Sequence, residues 1–142
     1  MDIGTINPNL VAAKISEIQQ SLKRLYSISS KGRDIFLTDP DLIDSAKYRL
    51  ITAIEAAISI CNHIIVRKFK RVPESYSDCF TILHECGVIS LGLTEKLGNM
   101  ARFRNMLVHI YWEIDDERIF DILTIDLIDL DSYIKEIMQF LE

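Results

Sequence analysis

The chain has 142 residues, which is close to the usual size of one domain and enough to bury a hydrophobic core. Hydrophobic residues make up 49% of it, with only 5 Gly and 3 Pro, and this composition excludes disorder and favours a helix-rich globular fold. The net charge of −5 excludes a uniformly basic nucleic-acid-binding protein. The sequence therefore predicts a single helical domain over residues 1–142.

Charge is distributed unevenly along the chain. From Glu113 onward there are ten acidic and two basic residues, whereas the first 112 residues carry eleven acidic and fourteen basic ones. The net charge therefore does not exclude a local basic surface. The densest group of basic residues is the segment RKFKR, which contains Arg67, Lys68, Lys70 and Arg71. These residues lie where a helix is predicted to end. Since the helix dipole favours cations there, the cluster also has an ordinary structural explanation.

The sequence shows no features of a membrane protein or a secreted protein. No apolar run approaches the ~20 residues needed to span a bilayer. The stretch MDIGTINPNL lacks the basic and apolar regions of a secretion signal. We therefore expect a cytoplasmic protein without membrane contact.

The cysteines suggest neither a disulfide framework nor a zinc site. Cys61, Cys79 and Cys86 include no C-x-x-C pair, so we expect reduced thiols packed in the core. Cys79, His84 and Cys86 lie close together in the sequence, but their spacing matches no common zinc site and a fourth ligand is missing. We expect no metal and no cofactor.

Two long helices are predicted in the first half of the chain. The first carries one apolar stripe and ends near SISSKGRD, where Ser, Gly and charged residues cluster. The second helix is predicted to begin with Asp39 as its cap and Pro40 as its first helical residue. It is predicted to end in the basic cluster before Pro73. The stripe of the first helix is Ile15, Ile18, Leu22 and Leu25, and that of the second is Leu42, Ala46, Leu50, Ala53, Ala57, Cys61 and Ile64.

Three further helices follow. Ser77 begins a short third helix that stops at Gly87, and Ser90 caps a fourth that runs to about Tyr111. Aspartates at 115–116 suit the start of a fifth. Its stripe is Ile119, Leu123, Leu127, Leu130, Ile134, Ile137 and Leu141. Because no strand alternation competes, the sequence predicts an all-α, up-and-down bundle of four to five helices.

The fourth helix carries polar residues where its apolar stripe should continue. Within RFRNMLVHIYW, residues 102–112, Arg104 occupies a stripe position. A buried arginine is costly unless it is paired or opens onto a cleft. A second apolar set makes this helix either central in its bundle or shared with a partner subunit. The first stripe contains Leu93, Leu97, Met100, Leu107 and Tyr111, and the second set is Phe103, Met106 and Ile110.

Helical geometry limits how these polar side chains can meet. At about 100° per residue, Asn105 and His109 are one turn apart, and Arg104 and Tyr111 nearly coincide after two turns. His109 then lies about 140° around the axis from Arg104. A straight helix does not aim both at one point, so either the helix distorts near its end or a second copy across a dimer axis completes the site. The structural alternative makes Arg104 an ion-pair residue and His109 a core histidine.

Common enzyme signatures are absent. Gly87 and Gly92 have the spacing of a phosphate-binding loop, but Leu93 stands where Lys is needed and no buried strand precedes the loop. There is no G-x-S-x-G nucleophile elbow and no H-E-x-x-H zinc helix. Standard hydrolase motifs therefore assign no function.

The order R-x-x-x-x-H-x-Y, filled by Arg104, His109 and Tyr111, resembles the signature of the HEPN superfamily in its HepT-like toxin branch. The segments AIEAAISICNHII, PESYSDCFTIL and LVHIYWEID are similar to the corresponding blocks of that family, in the same order. The resemblance therefore covers most of the chain. Ser59 departs from the pattern, because many members carry an acidic residue at that position.

The resemblance implies a homodimer whose two motif copies face a shared cleft. It also implies a metal-independent endoribonuclease toxin that is neutralised by a minimal nucleotidyltransferase antitoxin. Arg104 would hold the scissile phosphate, and His109 would act as general acid or base in attack by a ribose 2′-hydroxyl. Asn105 would orient the phosphate or His109. Tyr111 corresponds to the position where the partner attaches AMP, which would block an anionic substrate by occupation and repulsion.

Other functions remain open. An accessory subunit of a nucleotidyltransferase would bind nucleotide through Arg104 without cleaving RNA, and it would not need His109. A degenerate member kept only for assembly is a further alternative, against which the intact motif argues. The candidate contacts to RNA or to the partner are His63, Arg67, Lys68, Lys70 and Arg71.

Overall fold

The computed structural model describes residues 5–142, in which helices are joined by turns and short loops and no strand is present. Residues 1–4, part of the stretch expected to lack a secretion signal, lie outside the described residues. The all-α prediction is confirmed. The helices are α1 (Pro8–Ser29), α2 (Arg33–Thr38), α3 (Pro40–Arg67), α4 (Tyr76–Glu85), α5 (Leu91–His109), α6 (Asp116–Ile125) and α7 (Leu127–Leu141), and a 3₁₀ turn (Tyr111–Glu113) lies between α5 and α6.

The helix starts follow the capping residues of the sequence. The side chain of Asp39 accepts the backbone N–H groups of Asp41 and Leu42, with Pro40 at the first position of α3, as predicted. Ser90 likewise caps α5, as predicted. For α4 the prediction was two residues late, because the cap is Ser75, whose hydroxyl accepts the N–H of residue 78 at 3.0 Å.

The helix α3 is the centre of the bundle. It packs against α1, α2, α4, α5 and α6. Its C-terminal half approaches the start of α1, since the N–H of Asn7 donates to His63, so α1 and α3 run in opposite directions. A buried hydrogen bond from the Tyr133 hydroxyl to the carbonyl of Ala57, at 2.9 Å, joins α7 to the same helix. The helix α5 and the 3₁₀ turn that follows it, which carry Arg104, His109 and Tyr111, thus pack against α3.

The helix α3 contains a longer apolar stretch than predicted from the sequence, where no apolar run long enough to span a bilayer was expected. Within the described part of the chain, α3 is the one helix long and apolar enough to cross a membrane by length and composition. About half of that apolar window, 56%, is buried inside the bundle. The physical reason for its hydrophobicity is therefore its central position, where several helices cover it.

Residues 5–142 form two more α-helices than the upper limit of five predicted from the sequence. The short helix α2 was missed because six residues are too few for a periodic pattern; it buries Phe36, whose ring lies 5.3 Å from that of Phe120. The predicted fifth helix divides at Asp126 into α6 and α7. The apolar stripe stays in phase across this break, so periodicity does not detect it. Just before it, the hydroxyl of Thr124 bonds to the carbonyls of Phe120 and Asp121, an arrangement that bends helices.

Candidate functional site

Arg104 lies where α3, α4 and α5 meet. Its guanidinium donates to the carboxylate of Glu55 on α3, and its Nη1 donates to Oδ1 of Asn105 at 3.1 Å. The guanidinium also lies over the ring of Tyr76 on α4, 5.4 Å from its centroid. The side chain of Arg104 is only 16% exposed, whereas that of Glu55 is 48% exposed. The arginine is therefore fixed by three helices, and its carboxylate partner stands at the surface.

One nitrogen of Arg104 has no partner. Its Nε is buried and has no hydrogen bond to any described residue. A buried N–H donor that is left unpaired is energetically unfavourable. Of the two predicted alternatives for Arg104, the structure shows the ion pair, which is formed with Glu55.

The helix α5 ends at His109, two residues earlier than predicted. Ile110 leaves the helical conformation with φ −130° and ψ 40°, and Tyr111 begins the 3₁₀ turn. The expectation that Arg104 and Tyr111 nearly coincide along one helix was therefore wrong. The physical reason for the early end of α5 is Lys47 of α3. This buried lysine donates to the carbonyl of Tyr111 at 3.0 Å, so the carbonyl takes part in a side-chain hydrogen bond rather than in a helical one.

Tyr111 is held against the beginning of α3. The ammonium of Lys47 lies 4.4 Å from the centroid of the tyrosine ring and 3.8 Å from the carboxylate of Asp116. The phenolic hydroxyl donates to Oδ1 of Asp44 at 3.1 Å. Partial burial, followed by the nearby Asp44 carboxylate, raises the pKa of Tyr111, so the ring carries a neutral hydroxyl directed at an acceptor.

His109 is the exposed member of the motif. It occupies the last position of α5, and none of the contacts of Arg104 within residues 5–142 includes it. Since both residues lie on regular helix, they are separated by about 7.5 Å along the axis and about 140° around it. Within one chain, Arg104 therefore contacts Asn105, and Tyr111 packs against α3, whereas His109 lies apart from Arg104.

The predicted RNA or partner contacts lie towards the other end of α3. Twelve residues separate Glu55 from Arg67, which corresponds to about 18 Å of helix. His63 is engaged locally, because its Nε2 accepts the N–H of Asn7 at 2.8 Å. Burial, and then the charge of Arg67, lower the pKa of His63. Of the other basic residues, Arg71 pairs with Glu85 at 3.1 Å, and Lys68 and Lys70 are exposed.

The sequence predicted that all three cysteines pack in the core, and the structure confirms this for Cys61 and Cys79. Cys61 and Cys79 are buried, with their sulfurs 2.8 Å apart, and Cys86 is half-buried. Burial raises the pKa of Cys61, so it is an inert thiol. Nδ1 of His84 bonds to the carbonyl of Ile89. Among residues 5–142, no three His, Cys, Asp or Glu side chains are grouped in a way that could hold a metal ion.

Several site residues were missed from the sequence, and they share one face of α3. Asp44 and Lys47 contact Tyr111, and Glu55 contacts Arg104. Ser59 and Asn62 continue the same face, since spacings of 3, 8, 4 and 3 residues stay within about 120° of arc. We call these five residues the α3 polar stripe. The signal was present in the sequence, because these polar residues recur along one face of α3.

Comparison with known proteins finds relatives over most of the chain. A family model described as Ribonuclease HepT-like matches residues 18–137. The chain is 30% identical over 129 residues to the mRNA nuclease HepT of Shewanella oneidensis, covering 91% of this chain and 96% of the relative. It is 25% identical over 138 residues to the tRNA nuclease HepT of Aphanizomenon flos-aquae, covering 96% and 92%.

A solved structure extends the similarity to three dimensions. The tri-AMPylated HEPN toxin of Shewanella oneidensis, in complex with its MNT antitoxin, superposes with a TM-score of 0.86 at 29% identity, covering 94% of this chain and 99% of that one. The family model and the identity to a near-complete relative both span the motif. This chain therefore belongs to the Ribonuclease HepT-like family.

Proposed function

We propose that this chain is the ribonuclease toxin of a toxin–antitoxin pair, that it acts as a homodimer, and that a nucleotidyltransferase antitoxin neutralises it by attaching AMP to Tyr111. The observation that carries the proposal is the arrangement of the motif. Arg104 is anchored by Glu55 and Tyr76 with a buried unpaired nitrogen, and His109 is exposed at the end of the same helix. The named nuclease relatives support this function.

Cleavage is proposed to need no metal. The ribose 2′-oxygen attacks the adjacent phosphorus, the bond to the 5′-oxygen of the next nucleotide breaks, and a cyclic phosphate forms. His109 takes the 2′-hydroxyl proton or supplies a proton to the leaving oxygen, since a histidine exchanges protons near neutral pH. Arg104 binds the phosphate oxygens after Glu55 moves aside, and Asn105, which already accepts from Arg104, keeps the guanidinium oriented.

A homodimer accounts for the separation of Arg104 and His109. A second copy facing the same cleft would bring its own His109 to the phosphate that Arg104 holds. The surface at the end of α5 supports an interface, because Val108 is 41% exposed and Trp112 is 77% exposed. Neighbouring exposed apolar side chains of this kind are typical of protein contacts.

The contact between Tyr111 and Asp44 supports AMP transfer. In this step the phenolic oxygen attacks the α-phosphorus of ATP supplied by the partner, the new O–P bond forms and the bond to pyrophosphate breaks. The phenolic proton passes to the Asp44 carboxylate, which is already its acceptor. The attached phosphate then adds negative charge beside the motif and repels RNA.

Two further expectations stay proposals. The basic residues Arg67, Lys68, Lys70 and Arg71, with His63, are proposed to contact RNA beyond the cleft or the antitoxin. The chain is proposed to act in the cytoplasm, where its RNA substrate and a nucleotidyltransferase would both be present. The alternative of an accessory nucleotide-binding subunit uses Arg104 in the same way but does not need His109.

Replacement of His109 separates these functions. We expect His109→Ala to abolish RNA cleavage and growth inhibition while the chain still folds and associates, because the imidazole is exposed. Arg102→Ala, at another exposed position of α5, is the matched control. Cleavage is followed on labelled single-stranded RNA without added metal, and association by ultracentrifugation. Toxicity that survives in His109→Ala would reject the ribonuclease mechanism.

A further inference from the structure

A cavity lies beside the proposed phosphate site, between α3 and the beginning of α4. Its volume is about 330 Å³. Ser59 and Asn62 of the α3 polar stripe line one side, and Pro73 and Tyr76 line the other. This volume is at the lower end of the range for small-molecule sites, about 300–1,000 Å³, so it suits one ring system better than a longer ligand.

The lining combines apolar surface with a few polar groups. Ile58 and Cys79 are buried and form apolar wall, and Tyr76 contributes an aromatic ring that is 41% exposed. Asn62 is exposed and offers an amide that both donates and accepts, with no hydrogen-bond partner among residues 5–142. Ser59 offers a hydroxyl. A flat ring that carries hydrogen-bonding groups at its edge matches this combination.

Two of the residues that line the cavity, Tyr76 and Ser59, lie close to Arg104 or to its ion-pair partner. The Tyr76 ring that lines it also lies against the guanidinium, 5.4 Å from ring centroid to Cζ. Ser59 is one helical turn from Glu55, which binds the same guanidinium. A phosphate on Arg104 and a ring in the cavity would therefore belong to neighbouring parts of one nucleotide chain.

We propose that this cavity binds one unpaired nucleobase of the RNA, next to the phosphate held by Arg104, and that it sets the base preference of cleavage. The base stacks on Tyr76, and the amide of Asn62 bonds to its Watson–Crick edge, with Ser59 as a second polar contact. Single-stranded RNA is commonly read in this way, by aromatic stacking and edge hydrogen bonds. The inference rests on the proposed ribonuclease function and specifies how it selects its site.

Two variants test the subsite by cleavage. On single-stranded oligoribonucleotides with each base placed beside the cut, Asn62→Ala should reduce the discrimination between bases at one position by about 10-fold, because a bidentate amide contact is lost. Tyr76→Ala should raise KM by about 10-fold or more for every base, and Tyr76→Phe should stay near the native value, because its ring still stacks. Asn99→Ala, on exposed α5 surface outside this cavity, is the control for Asn62→Ala.

The outcomes separate this inference from the proposed function. If the native chain cleaves RNA and Asn62→Ala keeps the native base preference with unchanged KM, the subsite is rejected. A Tyr76→Ala variant that loses only kcat would assign the ring to Arg104 positioning and would likewise reject the subsite. Should the native chain fail to cleave, binding still decides the question. Adding the four nucleoside monophosphates must then shift the NMR signals of the Asn62 side-chain amide, and unchanged signals would overturn the proposal.

Discussion

Arg104 of α5 and Glu55 of α3 form an ion pair between neighbouring helices, with the arginine largely buried and the glutamate half-exposed at the surface. This asymmetry means that Glu55 can turn into solvent, whereas Arg104 is held in place by Asn105 and Tyr76 as well. An anion that approaches from solvent therefore meets a guanidinium whose orientation is already fixed. Preorganisation of this kind is what electrostatic catalysis requires.

Arg104→Lys tests this preorganisation. Lysine keeps the charge but loses the planar fork that binds Glu55 and Asn105 together, so we expect RNA cleavage to fall by about 100-fold. Arg102→Lys, at an exposed position two residues earlier, should keep native activity. Single-turnover cleavage rates measure both. Equal rates for Arg104→Lys and the native chain would mean that the fork does not contact the phosphate.

Asp44→Asn tests proton transfer from Tyr111. The amide still accepts the phenolic hydrogen bond but takes up no proton, so we expect the rate of AMP attachment to fall by about 100-fold. RNA cleavage should be unchanged. Intact-protein mass spectrometry after incubation with the antitoxin and ATP follows the mass gain. Tyr111→Phe should show none, and Asp41→Asn on the same helix should react at the native rate. Native AMP attachment in Asp44→Asn would contradict the role of this carboxylate.

Lys47→Met tests what holds the turn after α5. Methionine keeps much of the buried stem but loses the hydrogen bond to the Tyr111 carbonyl and the contact with its ring, so we expect the free energy of unfolding to fall by about 1.5–3 kcal/mol. Urea denaturation measures this loss. Lys23→Met, on exposed α1 surface, should change stability by less than about 0.5 kcal/mol. A native midpoint for Lys47→Met would show that the turn does not depend on this lysine.

His63→Gln tests a pH dependence of stability. The pKa of His63 is lowered in the folded chain, so both states hold a neutral imidazole well above pH 6.5. As the pH falls through 6.5, the unfolded chain takes up a proton more readily than the folded one, and stability is lost until the lower folded pKa is reached. Glutamine can accept the same N–H of Asn7 without titrating. Urea midpoints from pH 7.5 to 5.0 should therefore fall more steeply for the native chain, and parallel curves would reject the role of His63.

The amino-acid sequence was sufficient for much of the fold and for the identity of the motif. Caps such as Asp39 and Ser90 act through neighbouring backbone groups, so local sequence determines where α3 and α5 begin. The order of Arg104, His109 and Tyr111 is likewise readable without a structure. The end of α5 was not readable, because Ile110 has no helix-breaking side chain. The helix ends at His109, and Lys47 binds the carbonyl of Tyr111, from which it is 64 residues distant along the chain.

What surrounds the motif was decided by the tertiary structure alone. Glu55, Lys47 and Asp44 are far from Arg104 and Tyr111 in sequence, and only the antiparallel packing of α3 and α5 brings them into contact. The same packing creates the cavity beside Tyr76. Periodicity predicted that Arg104 must be paired or open onto a cleft, because a buried charge is costly. Which carboxylate pairs with it depends on which helices are adjacent, and this is set by the burial of α3 at the centre of the bundle.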